Sequence, residues 1–339
     1  MRITVLGCGA WGTALARMLY GDGHEITLWG NLPEQLAELR MGRNQACLPG
    51  IELPRDWSVV EELDKAVQRP QVIIVAVPSR AVRQVTSGLT RFRGIIISVA
   101  KGIEYDSGLT MSGVLRSTAP SAQIAALSGP TFALEVAREI PTAIVAASED
   151  AATAEAVQTL FHRPKFRVYT NPDILGVELG GALKNVIAIA AGTSDGLGFG
   201  DNTKAALITR AIVEIRRLGV ACGARADTFA GLSGLGDLTV TCFSRLSRNR
   251  ALGERLGRGE ELAAVLPTLT SVAEGYPTAC SAYQLARRLE VITPIIDEVY
   301  AMLYQGKKAG QAVHDLLNRD SKGEVAEFLQ PCPNTARMN

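Results

Sequence analysis

Three groups of residues in this chain have types and spacing that could do chemistry. The first is Gly7-Cys8-Gly9-Ala10-Trp11-Gly12. It follows an apolar run at 3–6 and opens a helical pattern at 13–20. A G-x-G-x-x-G run in that setting reads as a dinucleotide fingerprint. Gly7 permits the tight turn, Gly9 lets the backbone approach a pyrophosphate, and Gly12 lets helix and strand pack closely. The helix start then turns N–H groups and a positive dipole toward the phosphates. Such a fingerprint expects an acid about 20 residues on, to accept from the ribose 2′-OH. The second apolar run ends instead in Trp29-Gly30-Asn31, with Glu34 beyond it, so the chain does not demand NAD over NADP.

The second group surrounds a lysine in an apolar helix, Glu178-Leu179-Gly180-Gly181-Ala182-Leu183-Lys184-Asn185-Val186-Ile187-Ala188. Lysine is seldom buried without a partner. Gly180 and Gly181 stand at i−4 and i−3 from Lys184 and share its face, leaving room beside the amine for a small substrate. A partly desolvated lysine loses preference for its charged form and can exchange a proton near neutral pH. The plainer expectation is a lysine snorkelling to water.

The third group could hold an anion. Asp237, after the flexible glycine run at 231–236, either caps a helix or orients the Lys184 amine. Thr241 lies four residues on and shares its face. Ser247-Arg248-Asn249-Arg250 opens another helical pattern with Ser247 as cap. A cation in a first turn is unfavourable unless an anion lies between it and the helix terminus, which suits a phosphate cradle. A solvated basic turn is the alternative. Lys101, and the run Ser128-Gly129-Pro130-Thr131-Phe132-Ala133, stand at the carboxyl ends of expected strands, where ligands bind in open α/β folds. Ser271-Val272-Ala273-Glu274 fits a capping box, which by itself explains Glu274. His24, His162 and His314 read as structural or surface residues.

Elements must position these groups. Continuous apolar runs at 3–6, 25–29, 72–77, 95–99, 124–127, 143–147 and 166–169 alternate with helical patterns. Continuous rather than alternating runs fit strands buried on both faces of a largely parallel sheet. Residues 1–171 are therefore expected to form a doubly wound, Rossmann-type α/β domain that binds a dinucleotide. Asn171-Pro172 looks like a helix start, with Asn171 as cap. Residues 172–330 show helical periodicity alone and are expected to be an all-α domain for substrate binding and dimerisation, with 331–339 a loose tail.

Composition narrows the class. The 339 residues are 47% hydrophobic and 20% charged, with a net charge of +1. That balance argues against a nucleic-acid or membrane-surface partner. The six cysteines form no CxxC pair and lie in no ligand spacing to a histidine, so neither metal nor disulfide framework is expected, and a reducing cytoplasm fits. The apolar stretch at 177–191 carries Glu178, Lys184 and Asn185 and is too short and polar to span a bilayer.

Taken together, the motifs resemble the bacterial-type NAD(P)-dependent glycerol-3-phosphate dehydrogenase family. GCGAWGTALA, VAKGIE, LSGPTFALEV, ELGGALKNVIAIAAG, GLSGLGDLTVTC, LSRNRALG and SVAEGYPT occur in the family order. The resemblance implies that Lys184 is the general acid/base. It implies that Lys101, Gly129, Thr131, Asp237, Ser247, Arg248 and Asn249 line the substrate site. Ala10, Trp11, Lys101, Ala133, Arg248, Val272 and Glu274 would contact NAD or NADP, and Asn31 stands where family members often carry a basic residue or histidine. It further implies a cytoplasmic homodimer that reduces dihydroxyacetone phosphate to glycerol 3-phosphate for phospholipid synthesis. A β-hydroxyacid dehydrogenase is the nearest rival. Those enzymes pair the lysine with an asparagine four residues on, whereas Ala188 stands here and Asn185 is adjacent. A non-catalytic NAD(P)-binding redox sensor is a second rival, but it needs no proton donor.

Overall fold

A computed structural model describes residues 1–269, 272–321 and 323. The tail expected at 331–339 and the cap expected at Ser271 lie outside the described residues. The chain divides into two compact units. One comprises Met1–Lys101 and Leu109–Ile174, the other Gly102–Gly108 and the chain from Leu175 onward.

The first unit is one eight-stranded sheet. Its strands are β1 (Arg2–Leu6), β2 (Glu25–Trp29), β3 (Ser58–Val60), β4 (Val72–Val75), β5 (Ile95–Ser98), β6 (Gln123–Ser128), β7 (Thr142–Ala147) and β8 (Phe166–Asn171), in the order β3-β2-β1-β4-β5-β6-β7-β8. The central strands are largely apolar because helices cover both faces; all of β4 is apolar and buried. The helices are α1 (Ala10–Gly21), α2 (Pro33–Arg40), α3 (Leu63–Ala66), α4 (Val82–Thr86), α5 (Met111–Thr118), α6 (Ala133–Ala137) and α7 (Ala151–Phe161). Leu15 and Leu19 of α1 and Leu36 and Leu39 of α2 pack in one core with Val5 and Leu28 of the sheet. Leu6 at the end of β1 pairs with Trp29 of β2 on one side and Val75 of β4 on the other. Strand order therefore reverses at β1, the position where open α/β sheets bind ligands.

Two sheet features differ from expectation. β3 was not foreseen, since three half-exposed residues at an edge give no periodicity. β7 runs antiparallel to β6 in an otherwise parallel sheet. The five-residue α6 rises only about 7.5 Å. It cannot carry the chain back along a strand of roughly 20 Å, so the chain re-enters from the same end.

The second unit is helical: α8 (Ile174–Gly196), α9 (Asp201–Ala221), α10 (Asp237–Phe243), α11 (Arg248–Gly257), α12 (Leu262–Val265), α13 (Gly275–Arg288), α14 (Pro294–Tyr304) and α15 (Ala309–Leu317). Leu183, Val186 and Ile187 of α8 meet Leu238, Leu252, Ala282 and Ile296 in its core. Gly102–Gly108 counts with this unit: Ile103 joins the core, and Ser281 Oγ donates to its carbonyl at 3.1 Å. With 23 residues, α8 is long and apolar enough to cross a bilayer by length and composition, unlike the shorter stretch read from sequence. Its apolar window is 89% buried, as befits a core helix.

The start of α8 also corrects an expectation. Asn171 ends β8, and its Oδ1 accepts from the Asp173 N–H at 2.8 Å, closing a local turn. The helix begins only at Ile174, so Asn171 does not cap it. Nor is the glycine run at 231–236 a loose loop. Leu232–Gly236 forms a wide π-helical turn that leads directly into α10.

Candidate active site

The glycine loop uses its three glycines differently. Gly7 has φ +111°, and a Cβ there would sit 2.7 Å from the Ala76 carbonyl oxygen. A Cβ on Gly12 would press into the Gly7 carbonyl, so the fold itself requires both. Around Gly9 a Cβ would meet nothing within 4 Å. A side chain there would only fill the cradle in front of the helix start, which fits a pyrophosphate approaching backbone. α1 opens at Ala10 with no side-chain cap and no acid in its first turn, so its N–H groups and dipole suit an anion. Trp11 Nε1 is buried and has no hydrogen-bond partner. These features fit a dinucleotide.

Residues that the sequence did not flag brace this loop from behind. The Cys8 carbonyl accepts from Gln35 Nε2 at 2.7 Å, Asn44 Nδ2 at 3.0 Å and Thr13 Oγ1 at 3.0 Å. Asn44 is fully buried. A lone amide in an irregular segment carries no spacing signal, so only the fold reveals it. Burial pushes the Cys8 thiol up to about 11, making it packing rather than a nucleophile. Asn31, just past β2, is exposed. Arg40 donates to the Val59 carbonyl at 3.1 Å, and Arg43 lies 3.9 Å from Glu38.

At the carboxyl ends of β5 and β6 the first unit brings together three predicted residues. Lys101 Nζ donates to the Gly129 carbonyl at 3.0 Å, and Thr131 Oγ1 donates to the same oxygen at 3.1 Å. Ala133 follows as the first residue of α6.

In the helical unit, Lys184 does not snorkel. Its side chain is 9% exposed, and its Nζ donates to Asp237 Oδ1 and to Thr241 Oγ1, each at 2.7 Å. Thr241 Oγ1 lies 2.6 Å from the Asp237 carbonyl as well. Asp237 is 1% exposed. It is the first residue of α10 and not its cap; it orients the lysine instead. Gly180 serves another purpose than the one expected. A Cβ there would lie 2.8 Å from the Ser233 carbonyl oxygen, so the glycine admits the π-turn backbone. That turn is what delivers Asp237 to the amine. The adjacent Cys242 thiol is pushed up to about 12 by burial, a shift that the charges of Lys184 and Lys204 reduce.

The start of α11 lies beside this cluster. Ser247 Oγ accepts from the Arg250 N–H at 3.2 Å and caps the helix, which places Arg248 and Asn249 in a first turn without an acid. Asn249 Nδ2 donates to Asn185 Oδ1 at 2.9 Å, and its Oδ1 accepts from the Gly275 N–H at 2.9 Å. Asn249 thus bridges three helix segments. Through it, Arg248 and Lys184 are each one residue from a shared amide pair. Asn185 was not singled out in the sequence; its only signal was adjacency to Lys184. Val272 and Ala273 are not helical, and α13 starts at Gly275 after Glu274; the capping box expected at 271–274 turns on Ser271, which lies outside the described residues.

Known proteins share this pattern of sequence and fold. The N-terminal model of the NAD-dependent glycerol-3-phosphate dehydrogenase family matches residues 2–154, and the C-terminal model matches 173–314. An NAD(P)+ glycerol-3-phosphate dehydrogenase of Citrifermentans bemidjiense is 50% identical over 330 residues, covering 95% of this chain and 98% of that one. Its counterpart in Geobacter sulfurreducens is also 50% identical, with the same coverage. The crystal structure of a glycerol-3-phosphate dehydrogenase from Coxiella burnetii superposes with a TM-score of 0.90 at 34% identity, covering 94% of this chain and 99% of that one.

Proposed function

Because this chain belongs to the NAD-dependent glycerol-3-phosphate dehydrogenase family, we propose that Lys184 carries the proton as dihydroxyacetone phosphate and sn-glycerol 3-phosphate are interconverted. The chain is an NAD(P)-dependent oxidoreductase acting on a CH–OH group. The observation that carries the proton assignment is a nine-tenths buried ammonium held by two oxygens, Asp237 Oδ1 and Thr241 Oγ1.

When bound, the reduced nicotinamide supplies hydride to C2 of the substrate. Lys184 donates a proton to the C2 oxygen as alkoxide charge develops, and its amine takes that proton back in the reverse direction. Asp237 and Thr241 fix the position of Nζ, so no reorganisation is needed at the moment of transfer. Lys101 adds a second cation for the developing charge. Arg248 and the start of α11 hold the phosphate, one through a planar fork of donors and the other through its dipole. The N–H groups at 10–12 take the cofactor pyrophosphate, with Trp11, Ala133, Val272 and Glu274 as further cofactor contacts. By the same reading the helical unit also dimerises, and the cytoplasmic homodimer supplies glycerol 3-phosphate for phospholipid synthesis.

The test is oxidation of NADH or NADPH by purified protein, followed by ultraviolet absorbance, with dihydroxyacetone phosphate against a panel of 3-oxo acids. Turnover specific to dihydroxyacetone phosphate is expected. Equal or faster turnover of the 3-oxo acids would overturn the substrate assignment.

A further inference from the structure

α8 and α11 meet along a seam of glycines. On α8 these are Gly192 and Gly196, and on α11 Gly253 and Gly257. A Cβ at Gly192 would lie inside contact of the Arg250 carbonyl, and one at Gly196 inside that of Glu254. From the other side, a Cβ at Gly253 would strike the Ile189 carbonyl and one at Gly257 the Thr193 carbonyl. The two backbones therefore touch directly. Asn249 sits by Asn185 at one end, and Gly257 by Thr193 and Gly196 at the other, so the helices run parallel.

A glycine seam sets separation but offers no knobs to stop one helix rolling on the other. Two polar locks do that. Near the start is the Asn185–Asn249 pair. The second lock is a buried charge triad. Asp195 Oδ2 accepts from Arg250 Nε and Nη2, both at 2.7 Å, and its Oδ1 lies 2.6 Å from Lys204 Nζ on α9. These three side chains are 9–13% exposed. Arg250 Nη1 also lies 3.3 Å from Glu254. Lys204 caps the Phe243 ring at 5.2 Å, two residues past Thr241. Asp195 follows Lys184 by 11 residues, three turns along the same face of α8.

We propose that Asp195 is a positioning residue for phosphate recognition. By gripping Arg250 with two N–H bonds that converge on Oδ2, it fixes the rotation of the first turn of α11. Arg248 lies two residues earlier, about 200° around the helix, and so points away from the seam. Asp195 thereby sets where Arg248 stands relative to Lys184. Its charge also offsets an arginine placed at the positive end of a helix. The inference rests on the reading of Arg248 as a phosphate ligand.

The experiment compares dihydroxyacetone phosphate with dihydroxyacetone, which lacks the group Arg248 would hold. In Asp195→Asn, kcat/KM for dihydroxyacetone phosphate should fall on the order of 10²-fold, mostly through KM, the scale of a 1 Å misplacement. For dihydroxyacetone it should stay within about threefold, and NADH affinity should not change. Arg250→Lys keeps the charge but loses the fork. It should show the same pattern at about tenfold, and it keeps the question answerable if Asp195→Asn does not fold. Equal losses on both substrates would mean general loosening and overturn the clamp, as would an unchanged ratio. A wild type that turns over both substrates equally well would sink the phosphate reading and the clamp together. A wild-type preference retained in both variants would sink the clamp alone.

Discussion

At its glycine loop the sheet-bearing unit presents a candidate ligand surface of backbone, and around Lys184 the helical unit presents one of side chains. At 7–12 the groups offered are N–H bonds at a helix start, and the side chains nearby, Gln35, Asn44 and Thr13, all face the back of the loop. Around Lys184 the groups offered are an ammonium, a carboxylate and a hydroxyl, each fixed by the others. Glycines occur in both units but do different work. Gly9 faces open space, whereas Gly180, Gly192 and Gly253 leave space for neighbouring backbone. Backbone can hold a polyanion without titrating. Moving a proton requires a side chain, and a buried charged one needs partners. Binding and chemistry should therefore separate cleanly under mutation.

The sharpest break should come at Lys184. Lys184→Ala should lower kcat on the order of 10²–10⁴-fold, the usual scale for a lost general acid/base. The dissociation constant for NADH, measured by fluorescence, should be unchanged, because the loop lies in the other unit. Near-normal turnover would remove the division of labour altogether. Arg248→Ala should come next. It should weaken dihydroxyacetone phosphate binding by roughly 1.5–3 kcal/mol, the scale of a hydrogen bond to a charged group. Comparable kcat/KM for phosphorylated and unphosphorylated substrate in the wild type would show that the anion is held elsewhere.

Legibility in the sequence follows the same divide. The fingerprint could be read directly, since glycine spacing between strand and helix states a backbone requirement locally. The Lys184 cluster was legible only as an anomaly, a charge in an apolar helix, together with an i,i+4 pair at Asp237 and Thr241. The structure brings those three together. Tertiary contacts stayed hidden. Nothing local marks Asn44 as a brace, Asn185 as the partner of Asn249, or 102–108 as part of the helical core. The role of Gly180 was misjudged for the same reason, because its space is filled by the turn at 233–234, more than 50 residues away in sequence.

A glycine exchange probes the backbone side of the comparison. Gly9→Ala adds a methyl where the protein offers no contact, at φ −63°, which any residue adopts. The ligand-free melting midpoint should move by no more than about 0.5 kcal/mol in stability. NADH should bind roughly tenfold more weakly, or about 1.4 kcal/mol. Gly12→Ala should do the opposite first, lowering the ligand-free midpoint, because its methyl meets the Gly7 carbonyl. If Gly9→Ala binds NADH normally, the pyrophosphate does not approach there.

The smallest effect is expected at the adenosine end, where a side chain rather than backbone would set the choice of cofactor. NAD specificity usually rests on an acid at the end of the second strand, which accepts from the 2′-OH and repels a 2′-phosphate. Here that position is the exposed Asn31, which does neither strongly. The basic residues that could have favoured NADP are engaged elsewhere, Arg40 on the Val59 carbonyl and Arg43 beside Glu38. Residue 31 supplies neither repulsion nor a cation, so NADH and NADPH should both serve, with kcat/KM within about 30-fold, or roughly 2 kcal/mol. Asn31→Arg should tilt the ratio toward NADPH and Asn31→Asp toward NADH, each by a few-fold because the side chain is solvent-screened. Initial rates with each reduced cofactor at saturating dihydroxyacetone phosphate give the ratio. Wild-type discrimination beyond about a thousandfold would mean that some group other than residue 31 reads the ribose. The cofactor unit would then depend on side chains as much as the helical one does.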